Sequence, residues 1–501
     1  MPDKPLSAMV RDRAAASPDG TAYFSEQGRL TWSAYDRTAD RLAADLIALG
    51  LAPGERVAVW LPDSPRLHAA YLACERAGLV VVGIPERAGE RELEHLLGKT
   101  GAALLICPSG RDAPDGIPRA VLGDDATLDV PERPGPAVPR EPLGPDDLWL
   151  LNSTSGTTGL PKCVEQTQRK WSYLASQATR AARLTEDDMI MSVVPSPFGY
   201  GLWTAHFLPP MLGTGCVLRE RFDPADALAS AAAHRVTVLA CVTTQLRLML
   251  ASPLIAELDW GALRVTYTGG ERTPPEVMRE WERITGSTVL QFYGSNEFGG
   301  FSGTALTDSE EARHATAGRV LPGVTCRLFD DDGADITGTG GPGQPGGKGP
   351  GGTRGYYDDP AANAELFTRD GYQLLPDLVT VDASGYVRVA GRKADIIIRG
   401  GKNISAAAVE AEAGAHPAVA QVAAVAVPDA TFGERVCAAV TLCPGAALTV
   451  ESLRDFLAGR GVSKEYFPEH VVVLDEMPVS MGGKLDRRAL KATIQTMIPN
   501  G

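Results

Sequence analysis

Short aliphatic runs separated by amphipathic helical stretches recur through the first 300 residues, and this rhythm constrains the fold more than any other feature. RVAVWL (56–61), LVVVGI (79–84), ALLICP (103–108), MIMSVVP (189–195), VTVLACV (236–242), RVTYTG (264–269) and TVLQFYG (288–294) read as strands. Before and between them, LTWSAYDRTADRLAADLIALG, which ends on Gly50, and LHAAYLACERAG (67–78) carry apolar residues at helical spacing. Strands alternating with helices build βαβ units, so an α/β fold is expected, with layered, mostly parallel sheets covered by helices. Several runs end in Gly or Pro loops at the carboxyl ends of strands, where open α/β sheets bind ligands.

The texture changes near residue 330. DDDGADITGTGGPGQPGGKGPGGTRG is rich in Gly and Pro and reads as an irregular loop. Its GQPGGKG segment (343–349) is not expected to pack as a regular strand. Beyond GRKAD (391–395) a shorter α+β rhythm begins. A length of 501 residues exceeds one ordinary core. The expected division is a large N-terminal domain over 1–392 and a small, mobile α+β C-terminal domain over 393–501.

Bulk properties remove several functions. The net charge of −14 argues against broad binding to nucleic acid or anionic membranes. No run of 18 apolar residues occurs, so no membrane span is expected, and the N-terminal MPDKPLSAMVRDRAAASPDG lacks the apolar core of a secretory signal. The eight cysteines form no CxxC and none lies at zinc spacing from a histidine. They read as buried small hydrophobes in a reducing, cytoplasmic protein. The 7 histidines are scattered and suggest no metal site.

The chemistry concentrates in five segments. STSGTTGLPK (153–162) combines Gly156 and Gly159, which permit tight turns, with Ser153, Thr154, Ser155, Thr157 and Thr158 as short donors and Lys162 as a point charge for phosphate oxygens. Its spacing is not that of a Walker loop, and alone it could equally be a polar linker. QFYGSNEFGG (291–300) places Tyr293, Gly294, Asn296 and Glu297 after a strand, where a carboxylate can hold Mg²⁺ against nucleotide phosphates. YTGGERTPP (267–275) offers Gly269–Gly270, a bare-backbone shelf for a flat base, followed by Glu271. The stretch 377–405 carries Asp377, able to accept from both ribose hydroxyls, and Arg392. PVSMGGKLDRRAL (478–490) sets Lys484 behind two glycines, as a cation that a flexible loop could swing to a phosphoryl centre.

In this order the five segments resemble the superfamily of adenylate-forming enzymes: acyl- and aryl-CoA synthetases, amino-acid adenylation domains and luciferases. The resemblance covers essentially the whole chain and implies a large nucleotide-binding domain with a C-terminal lid. It implies ATP, Mg²⁺ and coenzyme A as partners of the reaction, with an acyl-AMP formed first and a thioester second. It further implies that Thr157, Thr158 and Lys162 hold phosphates, with Thr157 and Glu297 at the metal, and that Asp377 and Arg392 hold ribose. Lys484 would bridge carboxylate and α-phosphate, and Gly400 and Gly401 would flank the pantetheine arm of CoA.

Departures from the family pattern are numerous. Cys163 and Thr167–Gln168 replace a glycine and a Thr-His pair, Phe198 replaces a histidine in PSPFGYG, and Asn296 replaces a threonine. LPD (375–377) keeps only the acid of its motif, and Ala394 stands at the hinge. One alternative reading is therefore a protein that mainly thioesterifies a supplied acyl-AMP, made by a separate adenylating enzyme. A stand-alone enzyme loading a carrier protein and a non-catalytic acid or nucleotide binder are further alternatives. By analogy the acid pocket is lined by Phe198, Tyr200, Trp203, Val242, Tyr267, Phe298 and Phe301, with Leu246 nearby, which suits a hydrophobic, bulky or cyclic acid. FGYGLW has no Asp to meet an α-ammonium group, so amino acids are disfavoured. No carrier domain follows residue 501, which favours free CoA.

Overall fold

Runs such as Val80–Gly83 and Leu104–Cys107 are buried at every position, as strands covered on both faces must be. In the computed structural model, residues 4–86, 88–111, 114–123, 125–129, 140–154, 161–271, 273–392, 395–399, 402–429, 433–460, 462, 464–480 and 485–498 are described. They fall into two compact units, Met1–Cys326 with Gly347–Gln373, and Arg327–Gly346 with Leu374–Gly501.

The first unit holds two large sheets. In one, the strands run Leu128–Asp129, Arg119–Leu122, Leu104–Cys107, Arg56–Val59, Val80–Gly83, Leu150–Ser153 and Cys163–Gln166 from edge to edge. The second contains nine strands, with Val265–Gly269 between Thr288–Ser295 and Val238–Ala240 near its middle. Central pairs in both sheets are parallel and edge pairs antiparallel, as the alternating pattern predicts. Thr31 caps the helix Trp32–Ala48 through its hydroxyl, and Gly50 follows at φ 81°, where the sequence marks the stop.

Aromatic side chains fill the space around these sheets. Trp203 meets Tyr267 edge-on at 5.3 Å, and the Tyr267 hydroxyl donates to the Ala178 carbonyl at 2.7 Å. A polar group lies in the same core. His68 Nδ1 and His206 Nδ1 stand 3.0 Å apart, while His68 Nε2 lies 3.5 Å from Ser196 Oγ and 3.6 Å from Asp63 Oδ1. Tyr23 stacks on His68, and Trp149 on His206. Burial drives the His68 pKa down to about 3 and that of Asp63 up to about 7.

The second unit contains a mostly antiparallel sheet ordered Lys402–Ser405, Ile396–Arg399, Gly433–Leu442 and Val419–Asp429, to which His470–Val473 adds in parallel. Helices Ala406–Ala413, Val450–Gly459 and Arg487–Met497 complete its α+β character. A separate hairpin, Asp377–Val381 with Val387–Arg392, also clusters with this unit, so the contact boundary falls ahead of the expected domain boundary between 392 and 393.

One expectation needs correction. Gln344–Lys348, inside GQPGGKG, is a strand with its middle three residues buried. Glycine is what allows it: a Cβ at Gly347 would sit 2.5 Å from the Phe298 ring.

Candidate active site

The strand ends of the first unit's two sheets meet through side chains rather than through a shared ladder. Asn152, at the end of Leu150–Ser153, and Asn296, just beyond Thr288–Ser295, exchange two amide hydrogen bonds of 2.8 and 2.9 Å. Gln166 Nε2 donates to Asn152 Oδ1 at 2.7 Å and to the Asn296 carbonyl at 2.9 Å. Asn152 Nδ2 also reaches the Pro197 carbonyl at 3.2 Å, tying the PSPFGYG segment to the same knot. Asn152 and Gln166 are essentially buried, so each of these bonds forms away from water, where an unpaired amide would be costly.

Lys170 completes the network from the helix Gln168–Ala182. Its side chain is fully buried, and Nζ donates to the carbonyls of Asn296 at 2.6 Å and Glu297 at 2.7 Å. The ammonium also lies 4.9 Å from the Trp171 ring centre. Burial lowers its pKa to about 7, against a smaller upward pull from Glu297. The turn itself is closed by Phe298 N–H donating to Ser295 Oγ at 3.0 Å.

Glu297 is half-buried, and its Oε1 accepts from the Tyr356 hydroxyl at 2.9 Å. Tyr356 is held beside Cys163–Gln166 by a bridge to Val164 and by its neighbour Tyr357, whose N–H donates to the Cys163 carbonyl at 2.8 Å. Burial and the Glu297 charge together push the Tyr356 phenol upward, so it stays protonated as a donor. Lys162 Nζ lies 4.9 Å from the centre of the Tyr356 ring. Thr154 N–H donates to the Lys162 carbonyl at 2.9 Å, which pins the two ends of the hydroxyl-rich loop together. Lys162, Tyr356 and Glu297 thus gather at one place.

Other expected residues fall as follows. Ser153 is buried at its strand's end, while Ser155, Gly156, Thr157 and Thr158 lie outside the described residues. Gly269 is buried and Gly270 exposed at φ 81°; a Cβ on Gly269 would sit 2.7 Å from the Phe292 carbonyl oxygen, so the shelf must be bare. Gly294 is equally obligate, since a Cβ there would lie 1.7 Å from the Gly299 oxygen. Glu271 faces the start of the helix Thr243–Ala251, accepting from Thr244 N–H at 3.3 Å. Tyr293 is half-buried, edge-on to Phe301. In the second unit Asp377 and Arg392 are directly paired in register across their hairpin. The Arg392 side chain, Gly400, Gly401 and Lys484 lie outside the described residues.

The expected acid-pocket rings divide. Phe198 and Tyr200 are half-buried, and Val242 is nearly buried. Trp203, Tyr267, Phe298 and Phe301 are enclosed by protein, with Trp203 and Tyr267 in the central core cluster. The physical reason is local: Phe298 and Phe301 pack on each other, Phe298 lies over Gly347, and the Tyr267 hydroxyl is spent on Ala178. Four residues escaped the sequence reading: Asn152, Gln166, Lys170 and Tyr356. A lysine two positions beyond the departed Thr-His pair was the one visible signal.

Together, fold and residues define an α/β enzyme in which Lys162, Tyr356 and Glu297 gather near strand ends. Residues 10–357 match the model of the AMP-binding enzyme family, and residues 408–484 match that of the AMP-binding enzyme C-terminal domain. A salicylyl-CoA synthase / salicylate adenylyltransferase from a Streptomyces species is 31% identical over 98% of this chain and 94% of its own. The medium-chain fatty-acid–CoA ligase of Escherichia coli is 30% identical over 98% and 91%. The crystal structure of ATP-bound MatB from Rhodopseudomonas palustris superposes with a TM-score of 0.90 at 28% identity, covering 98% of this chain and 99% of the other. The chain belongs to the AMP-binding enzyme family, the adenylate-forming enzymes. Its class is acid–thiol ligase, AMP-forming.

Proposed function

We propose that this ligase activates a hydrophobic, bulky or cyclic carboxylic acid as its acyl-AMP and transfers the acyl group to CoA. The observation that carries the reading is the gathering of Lys162, Tyr356 and Glu297 where strands of the two mostly parallel sheets end. In the first step a carboxylate oxygen of the acid bonds to the α-phosphorus of ATP and pyrophosphate leaves. In the second the CoA sulfur bonds to the acyl carbon, the thiol loses its proton and AMP departs.

Lys162 would neutralise phosphate oxygens, Gly269–Gly270 would lie along the base, and the Asp377–Arg392 pair would meet the ribose. Lys484 would bridge the acid and the α-phosphate, and Gly400–Gly401 would line the pantetheine arm. Mg²⁺ fits the site through Glu297, whose carboxylate accepts from Tyr356 among the described residues and retains acceptor capacity. Among the described residues no three His, Cys, Asp or Glu side chains converge as a cage, so Glu297 is the carboxylate that would hold the ion. When bound, the ion would supply charge neutralisation at those phosphates.

Phe198 and Tyr200, both half-buried, support an apolar acid pocket, and the two relatives are named for salicylate and for medium-chain fatty acids. No helix among the described residues is long and apolar enough to cross a membrane. The test is a panel of aromatic and aliphatic acids in ATP–pyrophosphate exchange, followed by thioester formation with CoA. Hydrophobic acids should support both activities; exchange driven best by polar amino acids would overturn the reading.

A further inference from the structure

Resting on the proposed adenylation site, we infer that Lys170 is a positioning residue for acyl-AMP formation: its buried ammonium clamps the backbone that carries Glu297. A buried cation is expensive unless its donors are taken, and an aliphatic side chain would fill the same helix face without that cost. What Lys170 gains is two successive carbonyls, those of Asn296 and Glu297, at 2.6 and 2.7 Å. Holding both oxygens to one nitrogen fixes the peptide planes on either side of Glu297, and with them the direction of its side chain. Gln166 adds a second donor to the Asn296 oxygen, while Tyr356 holds the Glu297 carboxylate from its far end.

The chain is shaped to admit this clamp. Gly299 has φ 71°, and a Cβ there would approach Lys170 Cε to 3.1 Å and Cγ to 3.3 Å. The glycine therefore lets the lysine stem pass beneath the turn. Asn296 turns its amide to Asn152 and so acts as part of this scaffold. Orientation of Glu297 matters when phosphate charge must be met, which is the adenylation step; the thiol step starts from an adenylate already made.

The experiment compares wild type with Lys170→Met in two assays: ATP–pyrophosphate exchange, and thioester formation from synthetic acyl-adenylate and CoA. We expect exchange to fall between about 10- and 100-fold, carried by a higher Mg·ATP requirement, with the KM for the acid changed less than about twofold. Thioester formation should fall less than about threefold. Lys170→Arg, which keeps the charge in another shape, should restore part of the exchange. If Lys170→Met does not fold, Lys170→Gln, which keeps N–H donors without the charge, takes its place with the same readouts. Unchanged exchange, or equal loss in both assays, overturns the inference. Absence of exchange in the wild type would instead contradict the adenylation reading on which it rests.

Discussion

Among the polar clusters buried in the first unit, two differ in how fully their groups are paired. In the Asn152–Gln166–Asn296–Lys170 knot each side chain is bonded to another member or to the backbone the knot holds, and among its described polar atoms Gln166 Oε1 alone lacks a protein partner. In the His68–His206–Asp63 group, His206 Nε2 and Asp63 Oδ1 make no hydrogen bond to the protein, nor do the neighbouring Tyr71 hydroxyl and Trp149 Nε1. A buried network with nearly all its groups paired rigidifies what it touches, whereas an under-satisfied one weakens the fold. The knot lies under the turn that carries Glu297, where an error in position would be felt by the chemistry. The imidazole group lies among stacked rings in the core, where shape alone can carry it.

The largest effect that would break this comparison comes from Asn152→Leu. It strands the Asn296 amide and one Gln166 bond, and we expect a loss of about 2–4 kcal/mol in urea unfolding together with weaker pyrophosphate exchange. A neutral result would mean the knot is ornamental. Tyr356→Phe removes one donor to a carboxylate while keeping the ring near Lys162. Exchange should drop about tenfold with little change in thermal stability.

Asp63→Asn sharpens the comparison from the other side. The Asp63 pKa rises from the ordinary 3.8 to about 7, because burial penalises the charged form. The folded state therefore holds the proton more tightly than the unfolded chain. That contribution is whole below about pH 4 and is lost as pH rises through 7. His68, pushed down by burial, works in the opposite sense: its contribution is present above pH 6.5 and falls away toward acid. It is common to both proteins and largely cancels in their difference. The Asn variant should thus gain on wild type between pH 5 and pH 8, by about 2 kcal/mol. Thermal midpoints measured side by side at both pH values give the answer. An advantage that shrinks toward pH 8 would show Asp63 to be stabilised as a carboxylate.

Much of this was legible in the sequence. The strand runs, the helix stop at Gly50, the bare shelf at Gly269 and the placement of Glu297 after its strand rest on local spacing, which sequence reports directly. The knot rests on partners far apart in the chain: Asn152 meets Asn296 across 144 positions and Lys170 reaches Glu297 across 127. No local pattern encodes such pairs, so Asn296 reads in sequence only as a replaced threonine beside Glu297, while the structure gives its amide to Asn152. The rings at 203, 267, 298 and 301 show the converse limit, because an aromatic near a glycine loop can line a pocket or fill a core. GQPGGKG looked too glycine-rich for a strand, yet Gly347 is what makes room for Phe298.

The central claim is that Glu297, held by Tyr356 and by a clamped backbone, serves the making of an acyl-adenylate from ATP. Its most direct test is acid-dependent ATP–pyrophosphate exchange by wild type and Glu297→Gln, each checked for folding. We expect robust exchange in the wild type and a fall of about 10²–10³ in the variant. Exchange that survives in Glu297→Gln, or a wild type that converts synthetic acyl-adenylate to thioester yet shows no exchange with any acid, would contradict it.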